Sequence, residues 1–125
     1  TAVATCTANG YKTTATVVDS AGVPVVILSG DGAPERTQAV GLSKTTTTIK
    51  YKVPSGDIAD KVKTDATLDA EIKADPKIGT ARRGALPIKV GGEIIGAMSV
   101  SGAPGGDKDE VCVQAGLDKI ASRLK

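Results

Sequence analysis

Leu86, Ile88 and Val90 alternate with polar or small neighbours, the period-two pattern of a half-buried strand. Gly91-Gly92 follows, and adjacent glycines suit a two-residue hairpin turn, whose central residues both take positive φ. Glu93 to Ser101 then reads as the returning strand. Its run Ile94-Ile95-Gly96-Ala97-Met98 is apolar on both faces, which places it centrally in a sheet. Glycines between Gly102 and Gly106 break the strand. Asp107 stands three residues before Glu110, the spacing of a helix-capping box, and a last helix is expected from Asp107 to about Leu124. Val111, Ala115 and either Leu117 or Ile120 are the positions expected to face the sheet. Lys119, Arg123 and Lys125 suit the negative end of that helix.

The preceding chain supplies the other elements. Thr1 to Asn9 reads as the end of a helix whose start is expected to lie before Thr1, with Gly10 as its stop. Lys12 to Asp19 is rich in β-branched residues and predicts a strand. Ser20-Ala21-Gly22 makes a turn into a second strand, Val23 to Leu28, where Pro24 favours an edge or strand-entry position. Pro34 and Glu35 suit the first turn of a helix over Arg36 to about Tyr51, although Thr45 to Thr48 are poor helix formers. Ser55, after Pro54, is the expected N-cap of the next helix. Ile58 shares a face with Val62, and Leu68 with Ile72. This predicts one interrupted helix or two short ones, stopping before Pro76. Lys77 to Ala85 is an irregular connector or at most a short strand. The order α-β-β-α-α-β-β-α describes one α+β domain over residues 1–125, a mainly antiparallel sheet covered by helices.

Composition narrows the function. The chain has 125 residues, enough for one core, but no Phe and no Trp, so Val, Ile, Leu and Ala must build it. A net charge of +2 and two tyrosines give no basis for nucleic-acid binding. No apolar run approaches the ~20 residues of a membrane span. No leader is recognisable at Thr1, and one could have been removed. With so few large side chains, aliphatic surface is expected to stay open on Val25, Ile27 or the helices from Ile58 to Ile72. That predicts a homo-oligomer.

The chain contains no histidine, which removes the usual base of a Ser or Cys hydrolase and the usual fourth ligand of a small zinc site. The loop Gly102 to Gly106 precedes a helix, where phosphates bind, but Asp107, Asp109 and Glu110 would repel an anion there. Arg82-Arg83-Gly84 offers planar guanidinium groups to a carboxylate; the alternative is a solvated loop. Lys44 stands alone among hydroxyls in SKTTTT and faces either a cleft or solvent, solvent being the default for lysine. The separation of Asp19 and Asp31 is not readable from the sequence, so they are not an acid–base pair on this reading. Cys6 and Cys112 fall on helices that the topology can set side by side. A disulfide is expected slightly ahead of two buried thiols. It would fit a periplasmic or secreted protein, with a cytoplasmic home as the alternative.

The wording of the chain resembles a known family. The segments VVDSAG, the DGA loop, SK before a Thr-rich helix, PS, GALPI, GGEIIGAMSVSGAPGGDKDEVC and AGL are similar to the GlcG/HbpS family, also called DUF336 or the haem-degrading-domain family. The likeness spans nearly the whole chain apart from the shortened first helix. It implies a profilin-like sandwich that often assembles into homo-oligomers. It implies haem as a ligand in some members and a link to glycolate or diol operons in others. Such a fold states its function poorly. On the resemblance, the leading expectation is a non-enzymatic domain for haem or a related tetrapyrrole, with Arg82, Arg83, Gly84 and Lys44 as the ligand-binding candidates. The alternatives are an oligomeric accessory or sensor domain for a protein partner, and an enzyme acting on a small organic acid. No axial histidine can be carried over. Tyr11, Tyr51, Met98, a reduced cysteine or a lysine are the remaining iron donors.

Overall fold

The structure, a computed structural model, describes residues 1–121. Leu124, Arg123 and Lys125, named above for the end of the last helix, lie outside the described residues. The elements run α1 (Ala2–Ala8), β1 (Thr14–Asp19), β2 (Pro24–Ser29), α2 (Arg36–Tyr51), α3 (Ser55–Lys61), α4 (Ala66–Ala74), β3 (Ala85–Val90), β4 (Glu93–Ser101) and α5 (Gly106–Ile120). The predicted α+β order holds, with the region between Pro54 and Pro76 folded as two short helices. Neighbouring strands are antiparallel in the order β2-β1-β4-β3. The apolar β4 is central, as its two-faced pattern demands, and Pro24 lies on the edge strand. Gly91 and Gly92 turn the β3–β4 hairpin with φ of 57° and 84°, values that cost a side-chain-bearing residue energy.

Cross-strand pairing sorts the two faces. Thr14 opposes Ser101, Thr16 opposes Ser99 and Val18 opposes Ala97, so these residues share one face. Helix α2 covers that face: Ser99 Oγ donates to Gly41 O at 2.9 Å, and Ser101 Oγ donates to Thr37 O. Ala15, Val17, Met98 and Val100 point the other way, toward α1 and α5, where Met98 packs against Gly116 and Ala2 lies beside it. A cluster of Ala2, Cys6, Ala15, Val100, Cys112 and Val113 forms the core on this side. A second cluster, Ile58, Ile72 and Ile78, sits between α3, α4 and the connector. Ile58 and Ile72 are therefore interior, which corrects their assignment to open surface. Val111 is 61% exposed; the buried apolar and small positions of α5 are Cys112, Val113 and Gly116, and Leu117 packs half-buried against the same core as expected. The helix is rotated from the expected phase, with Cys112 turned to Cys6 of α1 and the small Gly116 set against Met98 of the sheet.

The Thr-rich half of α2 is helical for a local reason. Thr45 Oγ1 donates to Leu42 O at 3.0 Å and Thr47 Oγ1 to Ser43 O at 2.9 Å, so these hydroxyls bond within the helix rather than competing with it. Burial of the same face against the sheet overrides their weak propensity. A Cβ on Gly41 would fall 2.8 Å from Thr16 Oγ1, so helix and strand approach at the one residue that permits it. Ser55 is the first helical residue of α3, not its N-cap, which is Pro54. Its hydroxyl instead accepts the Ala85 N–H at 2.9 Å and anchors the start of β3.

Strand β2 is exposed along its whole length, including Val25 (64%) and Leu28 (56%). Both its faces are open because the helices on either side stop short of the edge.

Cys6 of α1 and Cys112 of α5 meet as a disulfide with Cα atoms 5.8 Å apart, across a sequence separation of 106. A loop of that length corresponds to a chain-entropy stabilisation of about 4–5 kcal/mol. Thiol titration of the unfolded protein should find no free thiol before reduction and two after it. Reduction should lower the unfolding free energy by about that amount. Two thiols in the unreduced protein would remove the bridge.

Candidate functional site: a basic cleft at the end of β4

At the end of β4 the chain leaves Ser101 through Gly102 and enters α5 at Gly105, whose φ is 125°. The first turns of α2, the α3 segment around Ala59, the connector Ala81-Arg82-Arg83 and the β4–α5 loop enclose a cleft of about 540 Å³. That volume is within the range of small-molecule sites, about 300–1,000 Å³. Arg36, Lys63, Arg82 and Arg83 surround the opening, and Lys44 and Asp109 close the floor.

Lys44 is buried, which corrects its reading as an exposed helix residue. Its Nζ donates to Asp109 Oδ2 at 2.8 Å and to Val100 O at 2.9 Å, with the two side chains 3% and 4% exposed. Asp109 Oδ1 accepts the Ala103 N–H at 2.9 Å. The pair therefore joins α2, β4, the glycine loop and α5. Gly84 is required beneath it: a Cβ there would lie 2.6 Å from Lys44 Nζ, and the backbone has φ of 135°. Burial lowers the Lys44 pKa from its ordinary value, against the attraction of Asp109, and nearby Arg82 pushes it the same way. Burial also raises the Asp109 pKa, against the attraction of Lys44 and its hydrogen bonds. On both partners desolvation outweighs pairing.

The expected capping box does not form. Helix α5 starts at Gly106 with Gly105 as N-cap and no side-chain cap. Asp109 is drawn inward by Lys44, and Glu110 is taken by Arg83. The Arg83 guanidinium donates to Glu110 at 3.2 Å and to Asp60 at 2.8 Å, tying α5 to α3. It also sits against Gly56, where a Cβ would fall 2.6 Å from Nη1. Arg83 is thus a wall of the cleft. Arg82 is exposed, and among the described residues neither it nor Arg36 has a carboxylate partner.

The structure thus brings Lys44, Arg82, Arg83 and Gly84 to one place and gives them different surroundings. Arg36, Lys63 and Asp109 were missed. Arg36 did carry a signal, since a cation in the first turn of a helix opposes the dipole there. Asp109 carried none, because an acid in a first turn is already explained by that dipole.

Of the remaining metal donors, the lysines Lys44 and Lys63 line the cleft and the others lie elsewhere. Cys6 and Cys112 are joined, and Met98 is packed in the core. Tyr51 donates its hydroxyl to Glu71 at 3.0 Å. Tyr11 lines a second cavity of about 470 Å³ on the α1 side of the sheet. Among the described residues, no three His, Cys, Asp or Glu side chains are placed to hold a metal ion.

Breaking the floor pair from one side strands a buried charge. Lys44→Met should cost about 3–5 kcal/mol. Adding Asp109→Asn should return about 1–3 kcal/mol of the summed single costs. Strict additivity in denaturant unfolding would show that the pair is not coupled. Relative to the double variant, the wild type should lose stability as pH rises from 3.8 through the raised Asp109 value, because the unfolded chain releases that proton first. It should regain stability between the lowered Lys44 value and 10.5, where the native state has already lost a proton that the unfolded chain keeps.

Comparison with known proteins places this architecture. A family model described as haem degrading protein HbpS-like matches residues 1–118. A double mutant of Streptomyces reticuli HbpS shares 28% sequence identity, with a TM-score of 0.84 over 95% of this chain and 78% of that one. Klebsiella pneumoniae ORFY, a DUF336 protein, is 22% identical with a TM-score of 0.87, covering 97% of this chain and 83% of its own. The PduOC:heme complex is 19% identical with a TM-score of 0.83, covering 94% and 84%. The last two speak to the fold alone. No curated protein matches the sequence. The sheet order, the flanking helices and a family match running from the first residue to the last turns of α5 lead to one assignment: the chain belongs to the HbpS-like family.

Proposed function

We propose that this protein is a small-molecule binding domain whose basic cleft takes haem or a related tetrapyrrole by its carboxylates. The observation that carries the reading is the pair of guanidinium groups, Arg36 and Arg82, that face the cleft without a carboxylate partner among the described residues. Planar guanidinium matches a carboxylate with two parallel hydrogen bonds. Val40, Ala59 and Ala81 supply aliphatic wall for a ring. Family membership and a protein of the same fold solved with heme support the ligand class. The fit is incomplete: the cleft suits the acidic arms of haem and supplies no usual axial donor for its iron. The reading is one of binding, since the buried lysine of the cleft is already held by a carboxylate.

Haemin titration followed by absorption should show saturable binding, and Arg82→Ala should weaken it roughly tenfold to a hundredfold. Arg83→Ala is a poorer test, because it also unties α3 from α5. Unchanged affinity in Arg82→Ala would sink this use of the cleft.

A second reading concerns assembly. Strand β2 and its flanks, Val23 to Gly30, carry no charge and expose aliphatic side chains on both faces. An uncovered, uncharged edge favours pairing with another chain, and a homo-oligomer covers it. Such an oligomer is also the form an accessory or sensor domain would take. The cysteine pair favours an oxidising compartment, periplasmic or extracellular. Sedimentation at micromolar concentration should show a species larger than the 12.5 kDa chain; a lone 12.5 kDa boundary would refute assembly.

A further inference from the structure

We infer that the cleft reads the acidic arms of its tetrapyrrole and is indifferent to the metal at the centre of the ring. The inference rests on the tetrapyrrole reading above and adds what the ligand is selected by. An axial bond needs a lone pair presented to the cleft. Lys44 Nζ directs its hydrogens to Asp109 and to Val100 O, and only 3% of its side chain is exposed. Both Asp109 oxygens are engaged, one by Lys44 and the other by the Ala103 N–H. Ser101 and Thr37 spend their hydroxyl hydrogens on the carbonyls of Thr37 and Pro34. A neutral hydroxyl is outside the set of side chains that usually hold haem iron. Guanidinium stays protonated and does not ligate at all. Lys63, the other lysine of the cleft, is 75% exposed at the rim and ion-paired with Asp60 at 3.7 Å, so its ammonium is directed to a carboxylate. The chain has no histidine, and Cys6 and Cys112 are joined away from the cleft.

The charges point the other way. Arg36 stands at the positive end of α2, where a cation costs stability. Arg82 stands close enough to Lys44 to depress its pKa. Two cations held at unfavourable positions, around a concave surface, are relieved by a ligand that brings two negative charges. A tetrapyrrole with free carboxylates does so whether or not a metal fills the ring. Tyr11 lies beside a cavity, but that cavity is on the opposite side of the sheet from Arg36 and Arg82.

The test compares haemin, metal-free protoporphyrin and the dimethyl ester of metal-free protoporphyrin on the purified chain, by absorption and, for the two metal-free ligands, by their own fluorescence. Haemin and the metal-free acid should bind within about threefold of each other, and the ester at least about tenfold more weakly. Arg82→Ala should weaken both acids alike, and Tyr11→Phe should change neither. Haemin binding at least about tenfold tighter than the metal-free acid would overturn the inference while leaving the tetrapyrrole site in place. A loss of haemin affinity in Tyr11→Phe, or an ester that binds as well as the acid, would also overturn it. Binding of none of the three would remove the tetrapyrrole reading itself, and the inference with it.

Discussion

The buried contact between Lys44 and Asp109 holds the working end of the molecule together. It spans 65 residues of sequence and joins the middle of α2 to the first turn of α5. Through Val100 O and the Ala103 N–H it also fixes the end of β4 and the loop beyond. Burial disfavours both charges, so the pair is a poor source of net stability. What it supplies is position. Without it the glycine-rich loop has few side chains to locate it, and the cleft would lose its floor. Gly84 and Arg83 follow from the same constraint, one clearing space for the ammonium and the other bracing α3 against α5.

The opposite demand governs the rest of the α2 interface. Thr14, Thr16, Ser99 and Ser101 meet Gly41 and Thr37 across it, so hydroxyls occupy a layer that aliphatic side chains usually fill. Small groups let helix and sheet come close, and most of the hydroxyls are satisfied by helix carbonyls or by one another. Among the described residues the hydroxyls of Thr13, Thr16 and Thr48 are buried without a protein partner. The two aliphatic clusters lie on the other face and under α4, while Val18, Ala85 and Ala97 are the buried apolar residues of the α2 face.

Much of the fold was legible because it is written locally. The period-two strands, the Gly91-Gly92 turn, Pro24 at an edge and the long α2 all follow from short-range chemistry. The failures were long-range. Asp107 and Glu110 have the spacing of a cap, but spacing says nothing of Lys44 and Arg83, which draw Asp109 and Glu110 away. Ser55 looked like a cap because its partner, the Ala85 N–H, lies 30 residues on. Val111 looked interior because a periodic pattern gives the stripe and not its phase. Of the cleft, Lys44, Arg82, Arg83 and Gly84 stood out as residue types, whereas Arg36 and Asp109 became visible only when distant segments met.

The hydroxyl layer has a consequence for how this protein responds to temperature. Exposing apolar surface on unfolding raises the heat capacity, whereas exposing polar surface lowers it. A chain without Phe or Trp, whose main helix–sheet contact is lined by Thr and Ser, has little of the first and more of the second. These features predict an unfolding heat capacity that is small for its length and a correspondingly flat stability curve. Around its temperature of maximum stability, such a domain loses less on cooling or warming than an equally long domain with an aromatic core.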